Sequence, residues 1–188
     1  MAAILIVHSS TDGHTRKICE RLCRLVGAQG HQVEVVPIED TRNADLTAFD
    51  MVVLGASIRY GKHNRQVFEF VQAHASTLDA RPNAFFTVNI VARKADKNRP
   101  ETNPYLRRFL AQVRWRPKLL EVFAGKLDYP RYGFFDRLMI RFIMLLTGGP
   151  TDPGTVVEFT DWQRVDAFAQ RIAQASGPPR AQRAGALG

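Results

Sequence analysis

Short apolar runs alternate along this chain with segments in which apolar residues recur every three or four positions. The short runs predict buried strands of a parallel sheet and lie at residues 3–7, 33–36, 51–55, 84–91 and 119–124. The periodic segments predict amphipathic helices and lie at residues 18–26, 67–75, 105–113 and 162–172. Strands that alternate with helices favour right-handed crossovers. We therefore predict an α/β fold with a doubly wound parallel sheet, whose ligands bind at the carboxyl ends of the strands.

Two stretches depart from this alternation. Residues 129–150 read YPRYGFFDRLMIRFIMLLTGGP and separate the fifth strand from the last helix. Residues 176–188 are rich in Gly, Pro, Ala and Arg, and their low apolar content predicts a disordered tail. A length of 188 residues with 45% hydrophobic residues is typical of one globular domain. We predict a single domain over residues 1–175 that carries residues 129–150 as an insert.

The chain is basic, with 26 Lys and Arg against 18 Asp and Glu. A net charge of +8 suits lipid headgroups, nucleic acid or acidic ligands, and does not choose among them. Cys19 and Cys23 are four positions apart on one helix face, do not form a CxxC pair, and are predicted to be core thiols. The first residues lack a basic region and a cleavage site, so we expect no signal peptide and a reducing, cytoplasmic setting.

The loop after the first strand is rich in hydroxyl groups and contains one glycine. It consists of Ser9, Ser10, Thr11, Asp12, Gly13, His14 and Thr15. Backbone N–H groups and side-chain donors at the start of a helix can converge on one anion. The loop lacks the Gly-Lys-Ser/Thr of a Walker A motif and the pattern GxGxxG, so it favours a phosphate monoester over a triphosphate or a dinucleotide. An ordinary helix-capping loop is the alternative interpretation.

This loop resembles the phosphate loop of flavodoxins, a Thr/Ser-rich turn that contains Gly and ends in Thr at the first helix. The resemblance implies the flavodoxin-like strand order 2-1-3-4-5 and an FMN cofactor. Two further loops would then hold the isoalloxazine ring. The alternative for the first is that Tyr60 is an ordinary surface aromatic, and for the second that it is a plain strand end. The first loop consists of Ala56, Ser57, Ile58, Arg59, Tyr60 and Gly61, and the second of Asn89, Ile90, Val91, Ala92 and Arg93.

Seven spaced motifs extend the resemblance over residues 3–175. They are GASIRYG, VNIVARK, WRP, YPRY, DRLMIRFIM, TGG and TDW, in this order. Together they resemble the menaquinone-dependent protoporphyrinogen oxidase family of bacteria, which carries an insert that ordinary flavodoxins lack. The resemblance implies an FMN enzyme of haem biosynthesis that oxidises protoporphyrinogen IX to protoporphyrin IX. It also implies electron transfer to a membrane quinone, menaquinone or ubiquinone, at the cytoplasmic face of the bacterial inner membrane.

The insert combines a short apolar segment with interleaved arginines. A spanning helix needs about 20 mostly apolar residues, so this segment suits peripheral membrane contact in the headgroup region. The same residues would also suit a helix on the sheet edge or a dimer interface, which leaves a homo-oligomer open. The residues singled out for membrane or substrate contact are Arg131, Phe134, Phe135, Arg137 and Arg141. Candidates to meet the propionates of a porphyrinogen are Arg59, Arg93, Lys94, Arg131, Arg137 and Arg141.

Other function classes have weaker support. No histidine has the spacing of a metal ligand set, so no metal is expected, and the sequence identifies no catalytic general base. An electron carrier of the flavodoxin type is typically acidic, which the +8 charge opposes. A soluble NAD(P)H-quinone reductase would not need the basic apolar insert. A basic nucleic-acid or lipid-binding module without flavin is the last alternative, and we expect no nucleic-acid partner.

Overall fold

The computed structural model describes residues 1–42 and 44–177. Five parallel strands form the main sheet: β1 Ala3–Ser9, β2 Gln32–Pro37, β3 Met51–Arg59, β5 Asn83–Asn89 and β6 Leu119–Ala124. Their order is β2-β1-β3-β5-β6, which confirms the predicted order 2-1-3-4-5 of the five parallel strands. The short strand β4, Lys62–His63, pairs antiparallel with the end of β3. Because every parallel strand points the same way, the loops that follow β1, β3 and β5 meet at one end of the sheet.

In the described ranges, six α-helices pack on the sheet or extend from it. They are α1 His14–Gly27, α2 Arg65–Ala73, α3 Ala75–Asp79, α4 Pro104–Gln112, α5 Phe134–Thr147 and α6 Trp162–Ala175. Three of them begin at a side-chain cap, in which Asn64, Asn103 and Asp161 accept backbone N–H groups of the first turn. The prediction of one helix over residues 67–75 is wrong at its end, because the backbone leaves helical geometry at His74, and a separate helix, α3, begins at Ala75.

Alternate residues of the strands fill two separate cores, one on each face of the sheet. Ile4, Ile6 and Val53 point to the face that α1 and α6 cover, and Leu5 and Val52 point to the face that α2 and α4 cover. Both faces are buried, which explains why the strands read as unbroken apolar runs. The predicted core thiols lie on the first face: Cys19 is buried, Cys23 is half-buried, and burial raises the pKa of both.

The insert is held by a small antiparallel sheet of its own. Strands β7, Lys126–Asp128, and β8, Val156–Glu158, pair with each other at its base, so the inserted segment is longer than the predicted residues 129–150. A third core lies above this base and contains Leu127, Tyr129, Tyr132 and Met144. The hydroxyl of Tyr129 donates to the carbonyl oxygen of Pro150 at 2.8 Å, which fixes the far end of α5 to the base.

Two further predicted boundaries are wrong. The strand predicted over residues 84–91 ends at Asn89, whose side chain accepts from the Ala92 N–H at 3.0 Å and so starts a short 3-10 helix, Ile90–Arg93. The predicted tail begins at Ser176, but this residue is buried, and its hydroxyl donates to the Ile172 carbonyl oxygen at 2.8 Å. Gly177 is the last described residue, and residues 178–188 of the predicted tail lie outside the described part of the chain.

Candidate functional site

A cavity opens at the carboxyl ends of β1, β3 and β5, where the predicted site loops meet. Most of the predicted cofactor-binding residues line it: Ser10, Asp12, His14, Thr15, Ser57, Ile58, Arg59, Tyr60, Gly61, Asn89 and Ile90. The insert closes the opposite side through α5, which contributes Asp136, Ile140 and Ile143. The cavity therefore lies between the sheet end and the underside of the insert.

Seven predicted cofactor-binding residues do not line this cavity. Ala56 and Ala92 belong to the sheet core, and Val91 is also buried. Arg93 donates to the Thr147 carbonyl oxygen at 3.1 Å and to its hydroxyl at 2.9 Å, so it fixes the end of α5. Ser9, Thr11 and Gly13 complete the first loop without lining the cavity. These seven residues belong to the loops that form the site, and the side chains of these loops that face the cavity belong to other residues.

The first loop presents two buried hydroxyl groups to the start of α1. Ser10 Oγ and Thr15 Oγ1 are both buried, and neither has a hydrogen-bond partner within the described part of the chain. Gly13 precedes α1 with a φ of 81°, a left-handed backbone conformation that favours glycine. No acidic residue lies in the first turn of α1. Two buried unpaired donors beside the free N–H groups of a helix start are suited to an anion with several oxygen atoms.

His14 is fixed by a chain of hydrogen bonds that the sequence did not reveal. Its Nε2 lies 2.6 Å from Thr160 Oγ1, which itself donates to the Ala124 carbonyl oxygen at 2.7 Å. Since the threonine proton is committed to that carbonyl, Nε2 carries the proton in the bond to Thr160. Burial lowers the pKa of His14, opposed by Glu158 and reinforced by Lys17 and Lys126. The imidazole is therefore neutral near pH 7 in the protein alone.

The loop after β3 is a tight hairpin turn that exposes an aromatic ring. Tyr60 and Gly61 have φ values of 49° and 75° between the paired residues Arg59 and Lys62. Positive φ at both central positions is typical of a type I′ turn, whose twist matches that of the flanking strands. Tyr60 is 55% exposed and lines the cavity mouth. The turn therefore offers an aromatic face to a planar ligand.

Arg59 connects the first loop to the insert. Its guanidinium donates to Asp12 Oδ1 at 3.4 Å and forms an ion pair with Asp136 of α5. Asp128, the other carboxylate of the cavity lining, pairs with Lys126 at 2.8 Å. Each carboxylate that lines the cavity thus has a cationic partner.

The predicted propionate-binding arginines divide into two groups. Besides Arg93, two of them bind backbone carbonyl oxygens of the insert, Arg137 that of Tyr132 at 3.2 Å and Arg141 that of Thr151 at 2.8 Å. These arginines hold the insert together. Arg131 is exposed at the cavity wall, and no hydrogen bond or ion pair is found for it among the described residues. Its guanidinium is therefore available to an external carboxylate or phosphate.

Sequence reasoning missed several residues of the cavity wall. These are Val88, Tyr105, Gly125, Lys126, Leu127, Asp128 and Tyr132. The sequence around these residues gives little indication of a site. The base of the insert looks like ordinary strand sequence, and Tyr105 looks like part of the apolar face of α4. In the described part of the chain, no group of three or more His, Cys, Asp or Glu is placed to hold a metal ion.

The strand order and the hydroxyl-rich loop at the first helix define a flavodoxin-like protein. The family described as "Flavodoxin domain" matches residues 5–154. A Leishmania major protein named protoporphyrinogen IX dehydrogenase (quinone) is 46% identical over 179 residues, with 94% of this chain and 78% of that protein covered. The Escherichia coli K12 protein of the same name is 43% identical over 175 residues, with 93% and 97% covered. This chain therefore belongs to the flavodoxin-domain family and, within it, to the family of the quinone-linked protoporphyrinogen IX dehydrogenases.

A solved structure supports the fold independently of these sequences. Oxidised flavodoxin 1 from Bacillus cereus superposes with a TM-score of 0.55 over 92% of this chain and 98% of that chain. The two sequences are only 15% identical, so the likeness concerns the fold alone.

Proposed function

We propose that this protein binds FMN and oxidises protoporphyrinogen IX to protoporphyrin IX, passing the electrons to a membrane quinone in haem biosynthesis. The observation that carries the proposal is the pair of buried, unpartnered hydroxyls of Ser10 and Thr15 at the start of α1. They suit a phosphate monoester, and the aromatic turn at Tyr60 and the insert lie around the same cavity. The relatives named above carry the activity in their names.

The residues present fit FMN. Ser10, Thr15 and the N–H groups that open α1 would hold its phosphate, and the loops at Tyr60 and Asn89 would flank its ring. Asn89 Nδ2 is a third buried donor without a partner in the described part of the chain, so the second loop also has a donor to offer. When bound, FMN would accept hydride equivalents from the substrate and pass the electrons on to quinone.

The protein's own contribution is orientation and the exclusion of water. Ile140 and Ile143 of α5 give the cavity an apolar wall opposite the sheet, and the Arg59–Asp136 ion pair holds α5 in place. A wall of this kind keeps solvent away from a reacting flavin and favours an apolar macrocycle over water. The paired carboxylates remain available as hydrogen-bond acceptors, and protons released from the substrate can pass to solvent at the cavity mouth.

The test is a sequence of spectra of the FMN-loaded protein under anaerobic conditions. Protoporphyrinogen IX should bleach the flavin absorbance, and a menaquinone or ubiquinone analogue should restore it. Bound flavin that ignores the porphyrinogen but is bleached by NADPH would establish the quinone reductase alternative. Flavin reduced only by a protein reductase would indicate an electron carrier. A colourless protein that gains no flavin would leave the basic lipid- or nucleic-acid-binding module.

His14 gives the cofactor proposal a pH dependence. The lowered pKa of His14 keeps the ring neutral in the free protein, whereas a phosphate dianion beside it favours the imidazolium. Binding then takes up a proton, so the contribution of His14 to FMN affinity grows as the pH falls from about 8 to about 6. We expect the affinity ratio between wild type and His14→Gln, measured by flavin fluorescence quenching, to rise over this range.

The ratio cancels the titration of the phosphate itself, which both proteins share. His74→Gln is the matched control, because His74 is also a histidine with a pKa lowered by burial but lies at the start of α3, outside the cavity lining. The ratio of FMN affinities between wild type and His74→Gln should not change with pH. A flat ratio for His14→Gln as well would show that His14 does not interact with the phosphate.

We also propose that the outer face of α5 contacts the membrane peripherally, at the cytoplasmic face of the bacterial inner membrane. This face is apolar and exposed: Phe134, Phe135, Leu138, Phe142, Leu145 and Leu146 each have more than half of their surface accessible. Within the described ranges no helix is both long and apolar enough to cross a bilayer. Arg131, three positions before α5, is an exposed cation that suits anionic headgroups.

Removal of two apolar side chains from this face should weaken membrane binding. Burial of a large apolar side chain contributes about 1.5–3 kcal/mol, so the loss of two in Phe135→Ser/Leu146→Ser should weaken binding to anionic vesicles at least about 100-fold in flotation assays. Val156→Ser is the matched control, since Val156 is 51% exposed on β8, away from α5. Sedimentation tests the alternative. If the double variant binds vesicles like wild type, and wild type sediments as a dimer while the variant sediments as a monomer, the face is a subunit interface.

A further inference from the structure

A second cavity adjoins the main one. It lies between β4 and α2 on one side and α4 on the other, and it shares Gly61 and Tyr105 with the lining of the main cavity. We call it the α4 groove. The position that a Cβ would occupy on Gly61 lies 3.6 Å from the ring of Tyr105, so the two residues form the common wall. A ligand in the main cavity can therefore extend one edge past Tyr105 into the α4 groove.

The floor of the α4 groove is apolar and uncharged. Phe68 and Phe109 lie with their ring centroids 5.0 Å apart, and His63 lies 4.8 Å from Phe109. Burial lowers the pKa of His63 to about 3, and its Nε2 lies 3.1 Å from Thr87 Oγ1. His63 therefore acts as a neutral aromatic surface. This floor suits the face or edge of a flat, apolar ligand.

The rim of the α4 groove is cationic. It contains Lys62, Arg65 and Arg108, and none of the described residues that line the groove is Asp or Glu. Arg65 pairs with Glu69 at 2.7 Å on an exposed helix surface, where such pairs contribute little. For Lys62 and Arg108, the described residues offer no carboxylate within 4.0 Å. The groove thus presents two free cations above an apolar floor.

We propose that the α4 groove binds the propionate-bearing edge of the tetrapyrrole, with Lys62 and Arg108 as carboxylate partners. This proposal rests on the proposed function and names its substrate subsite. The tetrapyrrole is apolar over most of its surface and carries its two carboxylates on one edge, which matches an apolar floor with a cationic rim. Among the competing arginines, Arg93 and the two of the insert, Arg137 and Arg141, already bind backbone carbonyl oxygens.

Lys62 and Arg108 would act on specificity and orientation. Anchoring of the carboxylate edge in the groove directs the rest of the macrocycle towards the main cavity, where the proposed flavin would lie. Their positive charges also favour a porphyrin with free carboxylates over an esterified one. Both effects concern binding of the substrate and leave FMN and quinone untouched, so they can be separated by experiment.

The test compares Lys62→Gln/Arg108→Gln with wild type in the full FMN-loaded chain. Binding of protoporphyrin IX is measured by fluorescence, and KM is measured for protoporphyrinogen IX and for the quinone. Loss of two charge-assisted contacts should weaken porphyrin binding roughly 10- to 100-fold and raise the porphyrinogen KM similarly. FMN affinity and the quinone KM should not change, and an unchanged FMN affinity also shows that the variant folds.

Arg24→Gln/Arg114→Gln is the matched control. It removes the same charge from two exposed residues, one late in α1 and one before β6, at the opposite end of the sheet. It should bind protoporphyrin IX like wild type. Protoporphyrin IX dimethyl ester lacks the carboxylates, so its affinity should be the same for wild type and for the groove variant.

The outcomes distinguish the two proposals. If wild type oxidises the porphyrinogen but the groove variant keeps wild-type affinity, or if Arg131→Gln alone causes the loss, the propionate subsite is refuted and the proposed function stands. Equal weakening of acid and ester would refute carboxylate recognition. A flavin-loaded wild type that does not oxidise the porphyrinogen would refute the proposed function and the subsite with it.

Discussion

The double variant Ser10→Ala/Thr15→Val is expected to lose FMN affinity by at least about 100-fold, because hydrogen bonds to a charged group contribute about 1.5–3 kcal/mol each. Both hydroxyls are buried at the start of α1 and have no partner in the described part of the chain. The phosphate would supply their acceptor. Flavin fluorescence quenching measures the affinity directly.

The same variant should be as stable as wild type without FMN, or more stable. A buried polar atom without a partner costs free energy, so its replacement by an apolar group of similar shape removes that cost. Thr11→Val is the matched control in the same loop, since Thr11 is exposed and does not line the cavity. Lower stability of the free double variant would show that the hydroxyls already form hydrogen bonds within the protein.

Gly55→Ala is expected to lower the free energy of unfolding by about 3 kcal/mol or more. Gly55 lies opposite Phe86 on the neighbouring strand β5, and a Cβ at Gly55 would lie 2.2 Å from Phe86 Cζ. The ring cannot move away, because Phe123 and Phe168 pack against it with centroids 5.4 and 6.0 Å distant. Denaturant unfolding measures the loss.

Phe86→Leu should partly rescue Gly55→Ala, because the shorter side chain makes room for the new methyl group. The two effects are then non-additive, as expected for residues in contact. Gly27→Ala is the control: it ends α1, has an ordinary φ, and a Cβ there would meet nothing within 4 Å. That change should be neutral or slightly stabilising. Additive losses for Gly55 and Phe86 would mean that the ring is free to move.

The sequence could predict the sheet because its strands are buried on both faces. An unbroken apolar run such as Ile4–Val7 has few other interpretations when helical stripes flank it. The strand end at Asn89 could not be predicted, because it depends on a side chain that caps the next turn. The break at His74 likewise depends on the backbone geometry between α2 and α3.

The site was predictable where it follows the strands and unpredictable where it depends on distant residues. Ser10 and Thr15 could be identified because a strand, a hydroxyl-rich loop and a helix follow one another directly. Thr160 could not, since it meets His14 from 146 residues away. The arginines were ambiguous for a chemical reason: guanidinium groups bind carboxylates and backbone carbonyls alike, and sequence does not say which is near.

The pairing of β7 with β8 has a consequence for the evolution of this fold. Because the two ends of the inserted segment meet as neighbouring strands, from Lys126 beside Glu158 to Asp128 beside Val156, the chain leaves the domain and returns to it at nearly the same place. Everything between them can grow, shrink or change its chemistry while the parallel sheet keeps its register. The inserted segment is in this sense a replaceable module.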